Sequence, residues 1–362
     1  MNFNNRGLEM KYFYQIKIIV AILMCASLVT ISGCEDSTTN PTPPVIEGSI
    51  LLVASQGDGA MSVIALESGA IIRGATGLGI NPNDIIEYQD HIYVINSDSK
   101  QLNVLNIMDN NSIEQDTLIE LRDENPMQGA VDAIGKMYIT NFVGGTVTIY
   151  DTQSSQLRST LFVGQSPDGV RVSNGKVFVC NSGFNPIDFS YAPGTISVMP
   201  VDDDFFNVEN NISVGMNPVK LDEDSEGRLH VVCTGNYSEV NGRIYIIDTA
   251  TNEVEQVFDI GGDPLDIAIS SNGYGYLTAG GWVDEQPGYV YRYDASTGEI
   301  LNGPDNPIEV GTGAWNIIAD NDGAVYVSCQ LVNAVYKIYE DEVVDVINQV
   351  GLTPGPMLIY RR

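Results

Sequence analysis

The chain has 362 residues, of which 17 are basic and 47 acidic, and its net charge is −30 at pH 7. A negative field of this size repels nucleic-acid phosphates and anionic headgroups, while it favours cations and basic partners. We therefore expect no nucleic-acid partner. Solvation of a large surface is the simpler explanation of the same charge.

The N-terminus has the pattern of a secretory signal peptide. Arg6, Lys11 and Lys17 precede an apolar run at residues 18–31, and the chain becomes polar after Cys34. A membrane-spanning helix needs roughly 20 apolar residues, so this shorter run fits the apolar region of a signal peptide better. A permanent N-terminal anchor helix is the alternative.

The segment Ile31-Ser32-Gly33-Cys34 resembles the bacterial lipobox, in which an aliphatic residue and two small ones precede an obligatory cysteine. The resemblance implies a diacylglycerol on the Cys34 thiol, cleavage before Cys34, and acylation of the new amino group. Several acyl chains anchor a protein stably, whereas one chain binds membranes only marginally.

The predicted organisation therefore has three parts: a signal peptide at 1–33, a lipidated cysteine and tether at 34–47, and a folded domain at 48–362. Residues 35–44 (EDSTTNPTPP) form a tether of roughly 30 Å at about 3.1 Å per residue. Cleavage leaves 14 basic and 46 acidic residues. We expect a monomer in the cell envelope, anchored by lipid at the periplasmic face or at the outer-membrane surface.

A turn motif recurs along the folded part at intervals of 44, 41, 51, 46, 50 and 40 residues. A short apolar stretch follows each turn, and an acidic or Gly-containing hairpin such as residues 320–323 often closes it. This pattern predicts a strand A and its turn into a strand B. The turns are Asn81-Pro82, Asn125-Pro126, Ser166-Pro167, Asn217-Pro218, Asp263-Pro264, Gly313-Ala314 and Thr353-Pro354.

Strands B, C and D follow in register. Strand C takes forms such as residues 146–151 (TVTIYD) and 243–248 (RIYIID), and strand D ends in a Val-Gly or Ile-Gly pair. Four strands and no helix in a repeat of this length are the signature of a propeller blade. Strand B has aromatic and β-branched residues that suit a half-buried surface: Tyr93-Val94-Ile95-Asn96, Tyr138-Ile139-Thr140-Asn141, Phe178-Val179-Cys180-Asn181, His230-Val231-Val232-Cys233, Tyr276-Leu277-Thr278-Ala279 and Tyr326-Val327-Ser328-Cys329.

The YxTN strand, the V-x-V-I-D strand and the I-x-V-G-x-x-P closure resemble the YVTN-type propeller repeat of YncE-like and surface-layer proteins. The resemblance covers residues from about 50 to 360, and its specificity lies in the seven-fold recurrence. His230 in place of Tyr and Ala314 in place of Pro depart from the pattern at single positions. The expected fold is all-β, a seven-bladed β-propeller of four-stranded blades.

The two ends of the folded part should share one blade. Residues 356–360 supply only an A strand, whereas residues 50–54, 61–66 and 70–75 match strands B, C and D. A C-terminal A strand that completes the N-terminal blade closes the ring and removes free strand edges. Six blades with loose ends are the alternative.

Few residues suggest catalysis. Cys180, Cys233 and Cys329 are an odd set near the ends of B strands, and we interpret them as buried hydrophobes. His91 and His230 stand where other repeats have Lys or Tyr. Propeller enzymes such as lactonases and streptogramin lyases generally need a channel-facing His or a metal-binding acidic cluster, and neither is recognisable. We expect no catalytic residue, no metal and no cofactor.

Two other patterns have simple structural explanations. The acidic runs at 202–204, 222–224 and 320–323 are similar to fragments of calcium loops, because hard cations need several oxygens from one segment, but none continues at calcium-loop spacing. Solvated turn carboxylates are the preferred interpretation, with a structural calcium site as the alternative. The Gly-rich stretch at 74–79 lacks the Lys-Ser/Thr end of a phosphate loop and predicts a turn between strands.

The longest B–C connections occur in three consecutive repeats, at residues 183–194, 235–242 and 280–288. In a propeller the B–C and D–A loops emerge on one face, here named the B–C face, and loops on a rigid scaffold commonly carry binding residues. Ordinary loop drift is the alternative. The predicted ligand-binding residues are Asp84, Gln128, Lys220, Asp266, Asn316, Tyr237, Trp282 and Trp315.

These observations favour a lipid-tethered binding or scaffolding propeller whose partner is an extracytoplasmic peptide, glycan or protein. Two alternatives stay open. One is a lactonase-like hydrolase or lyase acting at the channel mouth, and the other is a surface-layer or adhesion component.

The lipobox gives the first testable prediction. Cys34→Ala should release the protein from membranes or leave it unprocessed, because the thiol that carries the lipid is lost. Incorporation of labelled fatty acid measures this. Wild-type protein that takes up no label would contradict the lipoprotein prediction.

Overall fold

The computed structural model describes residues 48–108, 112–123, 125–201, 208, 210–282 and 286–361. Within these ranges the secondary structure consists of β-strands and turns, without a helix. The strands form seven sheets around a common axis, together with one two-stranded hairpin. The predicted signal peptide, Cys34 and tether lie outside the described residues.

Each blade contains strands A to D in antiparallel order, and blades are numbered here by their A strands. Blade 1 contains β4 (Pro82–Tyr88), β5 (His91–Asn96), β6 (Gln101–Ile107) and β7 (Ile113–Glu120). Blade 2 contains β8 (Pro126–Val131), β9 (Lys136–Asn141), β10 (Thr146–Asp151) and β11 (Gln156–Phe162). Blade 3 contains β12 (Pro167–Ser173), β13 (Lys176–Asn181), β16 (Pro193–Pro200) and β17 (Asn210–Met216), with the hairpin β14 (Phe184–Asn185) and β15 (Ser190–Tyr191) in its B–C loop.

Blades 4 to 6 repeat this order. Blade 4 contains β18 (Pro218–Glu223), β19 (Arg228–Cys233), β20 (Arg243–Asp248) and β21 (Glu253–Asp259). Blade 5 contains β22 (Pro264–Ile269), β23 (Tyr274–Ala279), β24 (Gly288–Asp294) and a D strand split into β25 (Ile300–Asn302) and β26 (Ile308–Val310). Blade 6 contains β27 (Ala314–Ala319), β28 (Ala324–Cys329), β29 (Ala334–Tyr339) and β30 (Glu342–Asn348).

Blade 7 is built from both ends of the described chain. Its B, C and D strands are β1 (Ile50–Ser55), β2 (Ala60–Ala65) and β3 (Ile71–Gly77), and its A strand is β31 (Pro354–Tyr360). β31 pairs antiparallel with β1, placing Leu358 opposite Leu52 and Met357 opposite Val53. Consecutive A strands contact one another around the whole ring, including β31 with both β27 and β4. The predicted seven-bladed propeller and its closing strand are confirmed.

One backbone hydrogen bond recurs in six blades and ties the B–C turn to the D–A turn. The residue after strand B donates its N–H to the carbonyl of the residue before the first A-strand residue. That acceptor residue has a positive φ, which Asn and Gly adopt most readily. The bonds run from Ser97 to Asn81, Phe142 to Asn125, Ser182 to Ser166, Thr234 to Asn217, Gln330 to Gly313 and Gln56 to Thr353, at 2.9–3.1 Å.

The hydrophobic core is divided into clusters that each lie between neighbouring blades. Val94 of blade 1 packs in one cluster with Leu52 of blade 7, whereas Ile95 packs in another with Ile139 of blade 2. Successive side chains of a strand point to opposite faces, so each B strand contributes to the core on both of its sides. No blade can therefore bury its surface without two neighbours.

The three cysteines of the propeller belong to this core. Cys180, Cys233 and Cys329 are buried and free, as the repeat alignment predicts. Burial raises the pKa of both Cys233 and Cys329 to about 12, so these thiols stay protonated at neutral pH. A buried protonated thiol is neither a nucleophile nor a metal ligand.

A carboxylate organises the A–B turn in several blades. Asp320 Oδ1 accepts hydrogen bonds from the backbone N–H groups of Asp322 and Ala324, both at 2.9 Å. Asp132 and Asp224 accept from the corresponding turn amides in blades 2 and 4. These carboxylates therefore satisfy backbone donors of tight turns, as expected for turn positions in the acidic runs at 222–224 and 320–323. Asp224 differs from the expected solvated carboxylate, because its side chain is only 5% exposed and pairs with Arg228.

His230 occupies a position filled by tyrosine in other blades. The Tyr326 hydroxyl lies 3.4 Å from Asp320 Oδ2, and His230 Nε2 lies 3.1 Å from Asp224 Oδ2 in the same way. His230 Nδ1 lies 2.8 Å from the Tyr293 hydroxyl. Burial lowers the pKa of His230, so the ring is neutral at pH 7 and has a structural role.

The closing strand gives a second prediction. Truncation after Pro354 removes most of β31, which leaves β1 without its partner strand, removes the contacts of β31 with β4 and β27, and uncovers the core around Met357. Unpaired strand edges promote aggregation, so the truncated protein should aggregate or melt far below the parent. Deletion of Arg361 and Arg362 alone is the control, because it leaves β31 whole. A truncated protein with the solubility and melting temperature of the parent would exclude this closure.

Candidate functional site

The predicted site residues lie at the B–C face, on the innermost strands and on the loops around the channel. Asp84, Lys220, Asp266 and Asn316 lie on the A strands β4, β18, β22 and β27. Each stands two residues after the first residue of its strand. At this point the A strands of blades 1, 4, 5 and 6 have a register shift against strand B, so their first residues depart from regular pairing.

Two aspartates at this level bridge neighbouring blades. Asp84 Oδ2 accepts from the N–H of Gly129 in blade 2 at 2.9 Å. Asp266 Oδ2 accepts from Asn316 Nδ2 at 3.0 Å and from the N–H of Ile317 at 3.1 Å, both in blade 6. Each carboxylate thus joins its own A strand to the next one around the ring.

Asp168 completes the charged group, although it was not among the predicted site residues. Gln128 Nε2 donates to Asp168 Oδ1 at 2.7 Å, and Thr140 Oγ1 donates to the Asp168 carbonyl at 2.6 Å. Asp168 stands one residue after Pro167, whereas the predicted charged and amide residues of the A strands stand two places after their turns. In blade 3 the second place is Gly169, which has no side chain to bind a ligand. The first place after each turn is therefore the sequence signal that would have indicated Asp168.

Lys220 is the cation that the three carboxylates share. Burial raises the pKa of Asp84 and of Asp168 to about 6, and it also raises the pKa of Asp266. In each case the positive charge of Lys220 is the largest opposing effect. We name Asp84, Asp168, Asp266 and Lys220 the channel cluster. Three acids and one base give it a formal charge of −2 when all are ionised.

The two tryptophans form a pair on the same face. Trp282 of the blade 5 B–C loop meets Trp315 of β27 edge to face, with ring centroids 5.3 Å apart. The Trp315 carbonyl accepts from Thr278 Oγ1 at 2.8 Å, which fixes this end of β27 to blade 5. Trp315 directly precedes Asn316, whose amide donates to Asp266 of the channel cluster, so the pair is close in the chain to a hydrogen-bond partner of the cluster.

A second aromatic group runs across blades 2 to 4. Phe184 contacts Phe142 at 5.8 Å and Tyr191 at 5.1 Å between ring centroids. Tyr191 contacts Tyr237, the predicted site residue of blade 4, at 6.3 Å. Phe142 was not predicted, because its loop is short and only the three long loops were searched. The predicted aromatic residues therefore fall into two separate groups rather than one ring.

Exposed apolar side chains are concentrated on this face. Ile187, at the tip of the blade 3 loop, is 89% exposed, and Phe162, at the end of β11, is 74% exposed. The opposite face has fewer such residues: Met108, Ile134, Ile300, Tyr339 and Val343. The set on the B–C face is Ile80, Val143, Phe162, Ile187, Val240, Leu331, Val332 and Leu352.

A pocket of about 620 Å³ opens at the outer rim of the B–C face between blades 4 and 5. Residues 239–241 of the blade 4 loop, residues 259–261, and residues 303–306 between β25 and β26 line it. Gly261 has a φ of +81°, and a Cβ there would lie 2.7 Å from Pro304 Cγ. The close approach of Pro304 thus depends on this glycine.

Side chains that could bind a metal are dispersed among the described residues. Within the ranges given above, no three His, Cys, Asp or Glu side chains are grouped so as to hold a metal ion. The acidic run at 202–204 lies outside the described residues. The Gly-rich stretch at 74–79 belongs to β3 and the turn after it, as expected. A search of the described residues for a helix able to span a membrane found none.

Solved structures with the same architecture define the class of this chain as a seven-bladed β-propeller. A proposed 6-phosphogluconolactonase from Bacteroides fragilis is 15% identical with a TM-score of 0.66, and the match covers 90% of this chain and all (100%) of that one. Hydrazine synthase from Kuenenia stuttgartiensis is 15% identical with a TM-score of 0.61, covering 78% and 96%. Apo AztD from Citrobacter koseri is 11% identical with a TM-score of 0.56, covering 86% and 98%.

These likenesses concern the fold alone. No protein-family model matches the chain, and no curated protein matches it. The residues of the B–C face are therefore the basis for any statement about function.

The channel cluster gives a prediction for the pH dependence of stability. Asp84 and Asp168 bind protons more tightly in the folded protein, with a pKa of about 6, than in the unfolded chain at about 3.8. Ionisation of these two carboxylates therefore lowers the free energy of unfolding. The effect has its full size above pH 6 and disappears as the pH falls towards 4. As the pH is lowered from 7.5 to 5, the melting temperature of the parent should rise relative to that of the Asp84→Asn/Asp168→Asn variant.

The comparison with that variant removes the general effect of the high negative charge. Asp151→Asn is the control, because Arg158 holds the pKa of Asp151 at about 2 and its ionisation does not change in this range. If the melting temperatures of the parent and the double variant changed in parallel between pH 5 and 7.5, the raised pKa values would be contradicted.

Proposed function

We propose that this chain is a cell-envelope lipoprotein with YVTN-type repeats, whose propeller binds an extracytoplasmic peptide, glycan or protein through the B–C face. The observation that carries the proposal is the concentration of aromatic and exposed apolar side chains on that face. Aromatic anchors supply large contact area at low entropic cost and dominate many interfaces. Exposed apolar side chains on the same face add contact area for a partner.

The path of the chain supports the same face. β1 begins at Ile50, which pairs with Tyr360 at the end of strand A and with Ala65 at the end of strand C. Ile50 therefore lies on the A–B side of the propeller, opposite the B–C face. A tether attached there and anchored at Cys34 would direct the B–C face away from the membrane, towards partners in the envelope space.

A hydrolase at the channel mouth is the second candidate, because raised pKa values in a cleft are typical of catalytic carboxylates. Asp84 and Asp168 have such values, at about 6. However, both oxygens of Asp84 and of Asp266 accept hydrogen bonds from this chain, which links blades together. Structural bonds of this kind favour binding over catalysis.

Substitution of aromatic residues tests the proposed face. Trp282→Ala combined with Tyr237→Ala should weaken partner capture from envelope extract by about 2 kcal/mol or more, roughly thirtyfold, if the two are interface anchors. Both side chains are half-buried at the surface, so the melting temperature should change little.

Tyr339→Ala is the matched control, since this exposed tyrosine ends β29 on the opposite face. Equal recovery of the same partners by the double variant and the parent, with loss of capture in Tyr339→Ala, would show that the opposite face binds.

A further inference from the structure

The geometry of the channel cluster points to a specific ligand chemistry. We propose that the channel at the B–C face binds a primary ammonium or guanidinium group, held by the channel cluster and by Asn316. The inference deepens the proposed function and rests on it in one respect, since it takes the B–C face as the binding face.

The charge of the channel cluster is unbalanced. Asp84, Asp168 and Asp266 come from blades 1, 3 and 5, and Lys220 of blade 4 is the cation common to all three. Asp266 also raises the pKa of Asp84, so the two carboxylates repel each other across blades. A second positive charge among them would relieve this repulsion.

Within the described residues, Lys220 forms no direct ion pair with the three carboxylates of the channel cluster. Among the described residues, the ion pairs within 4.0 Å include Arg171 with Asp222 and Arg228 with Asp224, but none contains Lys220. The carboxylates therefore feel the Lys220 charge from a longer distance. A carboxylate oxygen can accept two hydrogen bonds, so the oxygens of Asp84 and Asp168 keep lone pairs for another donor in addition to the bonds described above.

Asn316 supplies the independent observation. Its side chain is only 8% exposed, and its Nδ2 donates to Asp266 Oδ2 at 3.0 Å. Only the amide nitrogen can donate to a carboxylate, so this bond fixes the orientation of the amide. Asn316 Oδ1 is then buried without a hydrogen-bond partner among the described residues. A buried acceptor without a donor costs about 1–3 kcal/mol, which a ligand N–H would recover.

The arrangement suits an organic cation better than a bare metal ion. The described residues contain no group of three carboxylates, thiols or imidazoles able to hold a metal, so the acids are spread around the channel. A cation with several N–H donors can reach spread acceptors. Indole rings also attract cations, and Trp315, which contacts Trp282 edge to face, directly precedes Asn316 in the chain.

The two tryptophans provide the measurement, because the sequence contains no others. Titration with n-butylammonium and n-butylguanidinium should change tryptophan fluorescence saturably, and calorimetry should give the same affinity. Tetramethylammonium at equal ionic strength is the ligand control, since it has the charge but no N–H donor. Saturable binding of tetramethylammonium with equal affinity would overturn the proposal.

Variants locate the site. Asp266→Asn and Asn316→Val should each weaken n-butylammonium binding roughly tenfold, the value of one hydrogen bond to a charged group. Lys220→Met should strengthen it, because the competing cation is gone. Unfolding cannot produce a gain in affinity, so this variant keeps the test valid even if the others fold poorly. Asp259→Asn is the matched control, as an exposed outer carboxylate paired with Arg243.

Unchanged affinity in both Asp266→Asn and Lys220→Met would overturn the site. Loss of affinity in Lys220→Met would overturn the ligand class and indicate an anion. Spermidine and the amides of Nα-acetyl-lysine and Nα-acetyl-arginine separate the two sources of this chemistry, a free polyamine and a basic side chain of a partner.

The outcomes also separate this inference from the proposed function. Amine binding that persists while Trp282→Ala with Tyr237→Ala leaves partner capture unchanged would remove the aromatic interface and keep the site. Loss of partner capture in that double variant, together with no amine binding by the parent, would support the aromatic interface and exclude the amine site.

Discussion

The bond from the first amide after strand B to the carbonyl before strand A determines where everything else on the B–C face lies. Its acceptor residues, such as Asn81 and Asn217, adopt a positive φ and direct the carbonyl towards the B–C turn. The proline that usually follows fixes the start of strand A and needs no partner for a missing N–H. Repetition of this bond places the B–C loops beside the first residues of the inner strands, so loop and channel residues form one surface.

That surface combines two kinds of interaction at different radii. Near the axis lie the partly buried charged groups of the channel cluster, where an electrostatic contact is stronger than at the open surface. Farther out lie aromatic groups such as Phe184 with Tyr191, and the exposed Ile187. These side chains contribute apolar contact area rather than directional interactions. Specificity for a small group at the centre and affinity for a larger partner at the rim are therefore compatible in one binding event.

The repeat pattern predicted the fold closely because each blade contains the same local signals. The strand at Thr146–Asp151 and the closure of blade 7 follow from turn spacing and alternation alone. Asp168 was missed because the prediction used the second residue after each turn, and in blade 3 that residue is Gly169. The Phe142 contact with Phe184 was also missed, since it depends on the distance between loops of two blades.

The closing pair of β1 and β31 also has a kinetic consequence. Leu52 and Leu358 are paired although almost the whole sequence of the propeller lies between them. Such non-local pairing slows folding, because loop-closure entropy is lost before the contact forms. A chain that emerges N-terminus first must keep β1 unpaired on one side until its last strand has arrived. During that interval this edge can pair with other chains, so the yield of folded protein should depend on chain concentration more than its final stability does.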